Sequence, residues 1–225
     1  VVVADLALSL LVFGMFDRGD GGARVQFVDR FPWITGEILQ ASYFLGVDGL
    51  SAPMVALTGL LGLCAVFVSW QINVRVREYF VWLLLLQSAV MGVFASLDLL
   101  LFFLFWELEL IPMFFLISVW GTGRKDYSAM KFLIFTFLGS AVMLVGILAL
   151  FFSPDVHTFD MTELPAKIEL AGSFVAPGGG IFTLLIIGFA VKLPVWPLHT
   201  WLPDAHTDAP TNSGGEGPLT WDYSP

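Results

Sequence analysis

Along the chain, apolar residues gather in blocks about the length of a bilayer crossing, set apart by polar stretches. A transmembrane helix needs about 20 apolar residues. Residues 50–70 meet that without a charged side chain, and 81–97 form a second charge-free run. Residues 99–120 are interrupted only by Glu107 and Glu109, 132–152 are uncharged, and 181–202 carry one lysine, Lys192. With residues 1–16 these make six candidate spans. Lipid offers no partner for a bare N–H or C=O, so each span is predicted to be a helix. The fold class that follows is all-α, a polytopic transmembrane helical bundle.

The connections read as loops. Residues 17–48 form a long polar one with Gly21, Gly22 and Pro32, and 71–78 are short and hold Arg75 and Arg77. Asp98 marks a tight turn, where it can cap the following helix. Residues 121–127 hold Arg124 and Lys125, with Lys131 close behind, and 153–180 are longer, acidic, and end in Pro177 and three glycines. Short cytoplasmic loops collect Lys and Arg. That bias assigns 71–78 and 121–127 to the cytoplasmic face, and 17–48, Asp98 and 153–180 to the other. After Thr211 the chain turns polar and rich in Gly and Pro. Residues 1–211 are therefore read as the transmembrane domain and 212–225 as an irregular tail.

Composition agrees with the pattern. Hydrophobic residues make up 57% of the 225, and charged ones only 13%, against about 25% in soluble domains. Mean hydropathy is +0.85. The formal charge of −9 comes from acidic residues lying mostly between the blocks. No basic stripe exists, so nucleic acid is not expected as a partner. Cys64 is the only cysteine, which rules out a disulfide framework, and it reads as a small buried hydrophobe. The chain opens inside an apolar stretch with no basic leader segment, so residues 1–16 are expected to be a membrane helix whose start is missing, not a signal peptide.

The chemistry lies in charges that the spans should not contain. Glu107 stands eight residues into the 99–120 run. A charge at mid-bilayer costs about 2.5–3.5 kcal/mol on insertion scales. Glu107 must stay neutral, pair with a cation, or face water. A structural ion pair or snorkelling is the plainer alternative, and its distance from both ends disfavours snorkelling. Glu109 points about 200° away on a continuous helix, and its role is open between proton handling and structure. Pro112 follows and should kink the helix. Lys192 precedes Pro194 and Pro197, which should break its span near the centre; broken spans expose backbone groups that can bind ions. Desolvation there favours the neutral amine and a nearby carboxylate favours the ammonium, the balance a proton-exchanging lysine needs. Snorkelling to an interface is the structural alternative.

Other candidates are weaker. His199 can relay protons. His199, His206 and Asp204 lack an evident third ligand geometry, so no metal site is expected. His157 reads as solvated. Lys131 is a path residue or, preferably, a cationic anchor. No phosphate loop, dinucleotide fingerprint, cysteine set or pair of haem histidines is present. The chain itself is expected to bind no cofactor.

These segments resemble a known family. Residues 98–117, DLLLFFLFWELELIPMFFLI, are similar to the fourth-to-fifth helix region of the antiporter-like subunits of respiratory complex I. Residues 129–136, AMKFLIFT, resemble the start of their sixth helix, and LGVDGLS at 45–51 also fits. The most specific stretch is VKLPVWPLHTWLPDAHTDAPT at 191–211, which looks like their broken seventh helix and the loop after it. The resemblance implies a proton-translocating subunit of NADH–quinone oxidoreductase in a bacterial inner membrane. It implies Glu107 and Lys192 as a coupled pair and His199 as the seventh-helix histidine. It also implies FMN, iron–sulfur clusters and quinone in other subunits, and other membrane subunits and the lipid bilayer as partners. The second inverted repeat is missing, so a fragment is expected. Subunits of multi-subunit cation/proton antiporters share these motifs and are the alternative, as is a non-transporting fragment.

Overall fold

The apolar blocks fold as helices that turn their small and polar residues inward and their large aliphatic ones outward. The computed structural model describes residues 1–17, 19, 24–154, 156–170 and 175–209; the 212–225 tail lies outside them. In order the elements are α1 (Val2–Met15), β1 (Val25–Thr35), β2 (Gln40–Asp48), α2 (Ser51–Val68), α3 (Val76–Ala95), α4 (Leu99–Leu108), α5 (Leu110–Trp120), α6 (Lys125–Phe151), α7 (Leu164–Leu170), α8 (Val175–Lys192) and α9 (Trp201–Asp208). On α2, Ala52, Ala56, Gly59 and Gly62 are buried, while Leu57, Leu60, Leu61 and Phe67 are exposed. Thr136 and Ser140 of α6 are buried, while Phe137 and Leu138 are exposed. Water would not tolerate such a surface. Lipid does, because helices there associate by close approach of small residues, not by hiding leucines.

Among the described residues, four helical runs are long and apolar enough to cross a membrane: α2, α3, the α4–α5 run Leu99–Trp120, and α6. α1 and Gly179–Lys192 are apolar but shorter. Helices α3 and α6 begin five to seven residues before the predicted spans (76 against 81, 125 against 132) because backbone hydrogen bonding continues through charged first turns. Lys131 is consequently inside α6. Helix α8 begins at Val175, so Pro177 and the glycines belong to it and not to the preceding connection, which itself contains α7.

Two expectations are corrected. Residues 17–48 are not merely a polar loop. β1 and β2 form an antiparallel hairpin, with Arg30 opposite Phe44 and Phe31 opposite Tyr43. Asp29, Arg30 and Pro32 made the segment read as polar, yet Ala41, Phe44 and Val47 of β2 are buried beneath it. The fold is helical with one two-stranded sheet. Cys64 is exposed on the outer face of α2, not buried.

The connections gather at two ends, as the basic-loop assignment requires. Trp120 Nε1 donates to the Val74 carbonyl at 2.6 Å, and Thr122 N to the Asp208 carbonyl at 2.9 Å. That joins 71–78, 121–127 and the end of α9. At the other end the hairpin, Asp98 and residues 156–163 meet. Leu99 N donates to the Phe159 carbonyl, and Arg30 Nη1 lies 3.0 Å from Asp160 Oδ2.

Asp98 caps α4 as the sequence predicts. Its Oδ1 accepts from Leu100 N and Leu101 N at 2.9 and 3.1 Å, and its Oδ2 accepts from Ser42 N at 3.0 Å. Burial pushes this carboxyl above the ordinary range; the three amides pull against that, and Asp160 adds to it. A carboxyl raised by folding favours the folded state below its ordinary range, and that contribution is lost as pH rises through the raised value. Asp98→Asn keeps an acceptor for α4 and cannot ionise. The unfolding temperature of the parent in detergent is expected to fall relative to Asp98→Asn as pH is raised from about 4 to about 8. A constant difference over that range would refute the assignment. Asp98→Ala, which loses the cap, is expected to cost about 1–2 kcal/mol at low pH, and the difference from the parent narrows as pH rises and the parent's carboxyl ionises.

Candidate functional site

Two interruptions of helical structure meet in the middle of the bundle. The first separates α4 from α5 at Glu109. Pro112 has no N–H to give the Leu108 carbonyl, and the helix yields there. The second follows Lys192, the last residue of α8. The chain then turns through residues 193–200 before α9 resumes. The carbonyls left at the end of α8 find donors: Phe189 from Leu193 N, Ala190 from Val195 N, and Val191 from Trp201 Nε1 at 2.8 Å. Both α8 and α9 pack along α6. Gly139 lies against Val191, and Lys131 Nζ meets Asp204 Oδ2 at 2.6 Å. A continuous span over 181–202 is thus replaced by two helices joined by an irregular turn, as Pro194 and Pro197 predict.

Lys192 joins the two breaks. Its ammonium forms an ion pair with Glu109 Oε1 and donates to the Trp106 carbonyl at 2.9 Å. It also lies 4.2 Å from the centre of the Trp106 ring. The two charged side chains retain only 15% and 17% of their exposure, so the pair is largely withdrawn from solvent. The C-terminal end of α8 is the negative end of its dipole and favours a cation there.

Glu107, the predicted partner, forms no ion pair among the described residues but lies within electrostatic reach of Lys192. It faces Ser140 of α6 without hydrogen-bond geometry between them. Glu107 Oε1 and Ser140 Oγ are both buried, and neither has a hydrogen-bond partner. The direct contact of Lys192 therefore goes to Glu109. The expectation that the two glutamates point apart holds for an unbroken helix. Glu109 keeps helical backbone angles, φ −70° and ψ −21°, so the two side chains do diverge, and the lysine touches one while lying within electrostatic reach of the other.

A cavity of about 390 Å³ opens beside the pair, lined by Glu109, Met113, Phe132, Lys192, His206 and Ala209 among others. His206 of α9 is the histidine that reaches it. His199 lies in the turn between α8 and α9, with Nδ1 buried and unpartnered. Lys131 is held by Asp204, 5.8 Å from the Tyr127 ring, and ties α9 to α6. No group of three or more potential metal ligands occurs among the described residues. Sequence reasoning passed over Trp106, whose carbonyl and ring hold the ammonium, and Ser140. It also passed over Asp5 of α1, which accepts a hydrogen bond from Gln87 of α3. Asp5 was legible as a carboxylate inside an apolar run. The carbonyl of Trp106 was not, because only the tertiary placing of Lys192 makes it a partner.

Chemically, the arrangement offers one ammonium, two carboxyls, an unpaired hydroxyl and a largely apolar cavity into which Glu109, Lys192 and His206 face. It can hold and exchange protons. It has no group for electron transfer.

The sequence pattern of the NADH:quinone oxidoreductase/Mrp antiporter transmembrane family matches residues 96–214. The chain is 44% identical over 211 residues to NAD(P)H-quinone oxidoreductase chain 4 of Synechococcus elongatus, covering 93% of this chain and 38% of that protein. It is 42% identical over 217 residues to NADH-quinone oxidoreductase subunit M of Rhodobacter capsulatus, covering 93% and 41%. Among solved structures it is similar to a chain of respiratory complex I from Thermus thermophilus with bound NADH, with TM-score 0.81 and 26% identity, covering 92% of this chain and 41% of that one. The chain spans about two fifths of the length of the curated relatives it matches.

Proposed function

This chain belongs to the NADH:quinone oxidoreductase/Mrp antiporter transmembrane family, and from that premise we propose that it is part of a proton-translocating membrane subunit of an NADH–quinone oxidoreductase. The observation that carries the reading is the Lys192 ammonium, withdrawn from solvent between two broken helices and within reach of Glu107 and Glu109. In such a subunit, quinone reduction elsewhere in the complex shifts the balance of buried charges, and this cluster answers by taking up and passing on a proton. Lys192 and Glu107 are the principal proton-handling residues, and His199 and His206 are candidate relays. Lys131 anchors α9 through Asp204. FMN, iron–sulfur clusters and quinone belong to other subunits. The partners are those subunits and the lipid of a bacterial inner membrane. The 71–78 and 121–127 loops face the cytoplasm. A cation/proton antiporter would use the same cluster. Identities above 40% to two quinone oxidoreductase subunits support the first reading.

The test is Glu107→Gln in the intact complex. Proton pumping, followed by quenching of a pH-sensitive dye in vesicles and normalised to assembled complex, is expected to fall at least about tenfold. Pumping equal to the parent's would end the role assigned to Glu107. Copurification of iron–sulfur subunits separates the oxidoreductase from the antiporter.

A further inference from the structure

Lys192 has two carboxylates within reach and touches only one of them. Its ammonium sits on Glu109, whose side chain lines the cavity shared with His206. Glu107 neighbours Ser140 of α6, and Glu107 Oε1 and Ser140 Oγ are each buried without a hydrogen-bond partner. The ammonium is held between them by the Trp106 carbonyl, one residue before Glu107 and three before Glu109. Neither that bond nor the Trp106 ring, 4.2 Å away, depends on which carboxylate is paired. Lys192 is therefore tethered at a point from which either glutamate is accessible. An unpaired carboxylate in this setting is costly, whereas a neutral carboxyl is not.

Resting on the proton-translocating reading above, the geometry points to Glu109 as a second catalytic carboxyl. Glu109 and Glu107 are two alternating stations for the Lys192 ammonium, and the carboxyl that lacks the ammonium carries the proton. In the arrangement observed, Lys192 pairs with Glu109 and Glu107 holds a proton. When Nζ swings to Glu107, the Glu107 O–H breaks and its proton leaves on the Ser140 side. Glu109 then takes a proton from solvent in the cavity. When Nζ returns, the proton on Glu109 passes to Glu107 and the first arrangement is restored. One proton has crossed from the cavity to the Ser140 side. The lysine stays an ammonium throughout, every proton lost is replaced, and proton uptake by Glu109 accompanies the departure of Nζ, so that neither carboxylate is left both charged and unpaired. The buried hydroxyl of Ser140 can relay the outgoing proton, accepting it on oxygen while giving up its own on the far side.

The experiment uses Glu109→Gln in the intact complex, with two readouts. Pumping per assembled complex is expected to fall at least about tenfold. The infrared stretching band of a buried protonated carboxyl, identified by its shift in deuterated water, is expected in the parent. It should vanish in Glu107→Gln, where the group is gone. It should vanish equally in Glu109→Gln, where Lys192 has only Glu107 to pair with and Glu107 becomes ionised. A structural role for Glu109 would leave the band intact. Parental pumping in Glu109→Gln, or lost pumping with the band unchanged, overturns the two-station scheme. Should Glu109→Gln fail to assemble, Glu109→Asp decides. The carboxyl is then one methylene short, the ammonium divides between stations, and both band and pumping drop severalfold; values equal to the parent's overturn the scheme. Lys192→Met distinguishes the two levels. If that variant still pumps, the proton-translocating reading itself fails. If it does not pump while Glu109→Gln does, only the second station is lost.

Discussion

Replacing Lys192 by methionine is expected to reduce proton translocation by about 100-fold or more, the range found when an essential proton-transfer group is removed. Methionine matches much of the lysine's length and apolar stem, so packing against Trp106 should survive. What disappears is the positive charge that faces Glu109 and the Trp106 carbonyl. Both glutamates then lack a cation and would be held neutral, because two unpaired carboxylates cannot remain buried. With no ammonium to favour ionisation, neither releases its proton. The measurement is dye quenching in vesicles containing the intact complex, with assembly checked on native gels. Acidification at the parental rate with normal assembly would refute the role of Lys192. Lys192→Arg keeps the charge but presents a planar, broader group at a point-charge site. It should assemble and pump poorly.

The second large effect is expected from Gly188→Val. Gly188 lies one turn before Lys192 on the same face of α8, and a Cβ there would stand 3.0 Å from the Gly139 carbonyl and 3.1 Å from Met143 Cα, and nearer still to Met143 Cβ. Gly139 on α6 is equally constrained, with a Cβ 2.6 Å from Val191 Cβ. These two glycines let α6 and α8 touch backbone to backbone, the way helices associate in lipid. Valine would force them apart at a cost of about 1–3 kcal/mol. Because Lys192 is carried on α8, the displacement also draws its ammonium from Trp106 and Glu109. The unfolding temperature in detergent is expected to fall by several degrees and pumping with it. Gly179→Ala is the control. Space around Gly179 is open, and alanine in a helix is favoured over glycine by about 1 kcal/mol. Equal behaviour of the two variants would mean that the α6–α8 contact is not what holds the lysine in place.

Much of the molecule was legible before its fold was known. Length and apolar content identified α2, α3, the α4–α5 run and α6, since hydrocarbon thickness leaves few alternatives. Pro194 and Pro197 announced the break after Lys192, and Asp98 the cap of α4, because both effects are local. The cost of burying charge singled out Glu107 and Lys192 from side-chain chemistry alone. The hairpin was missed because its charged and proline residues outweighed its short alternation. Its stability comes from β2 burying Ala41, Phe44 and Val47 against the helices, not from its own pairing.

The partner of Lys192 was decided only in three dimensions. On an unbroken helix, residues two apart diverge by about 200°, and that periodicity left the role of Glu109 open. Glu109 keeps helical backbone angles, φ −70° and ψ −21°, and what pairs it with the lysine is the placing of the end of α8 beside it. The same placing brings the ammonium to the Trp106 carbonyl. Sequence determined that buried carboxylates and a buried lysine occur in this membrane bundle, because residue type and position within an apolar run suffice for that. Which carboxylate holds the lysine, and what hydroxyl and cavity flank it, depended on where two broken helices meet, and no one-dimensional periodicity encodes that meeting.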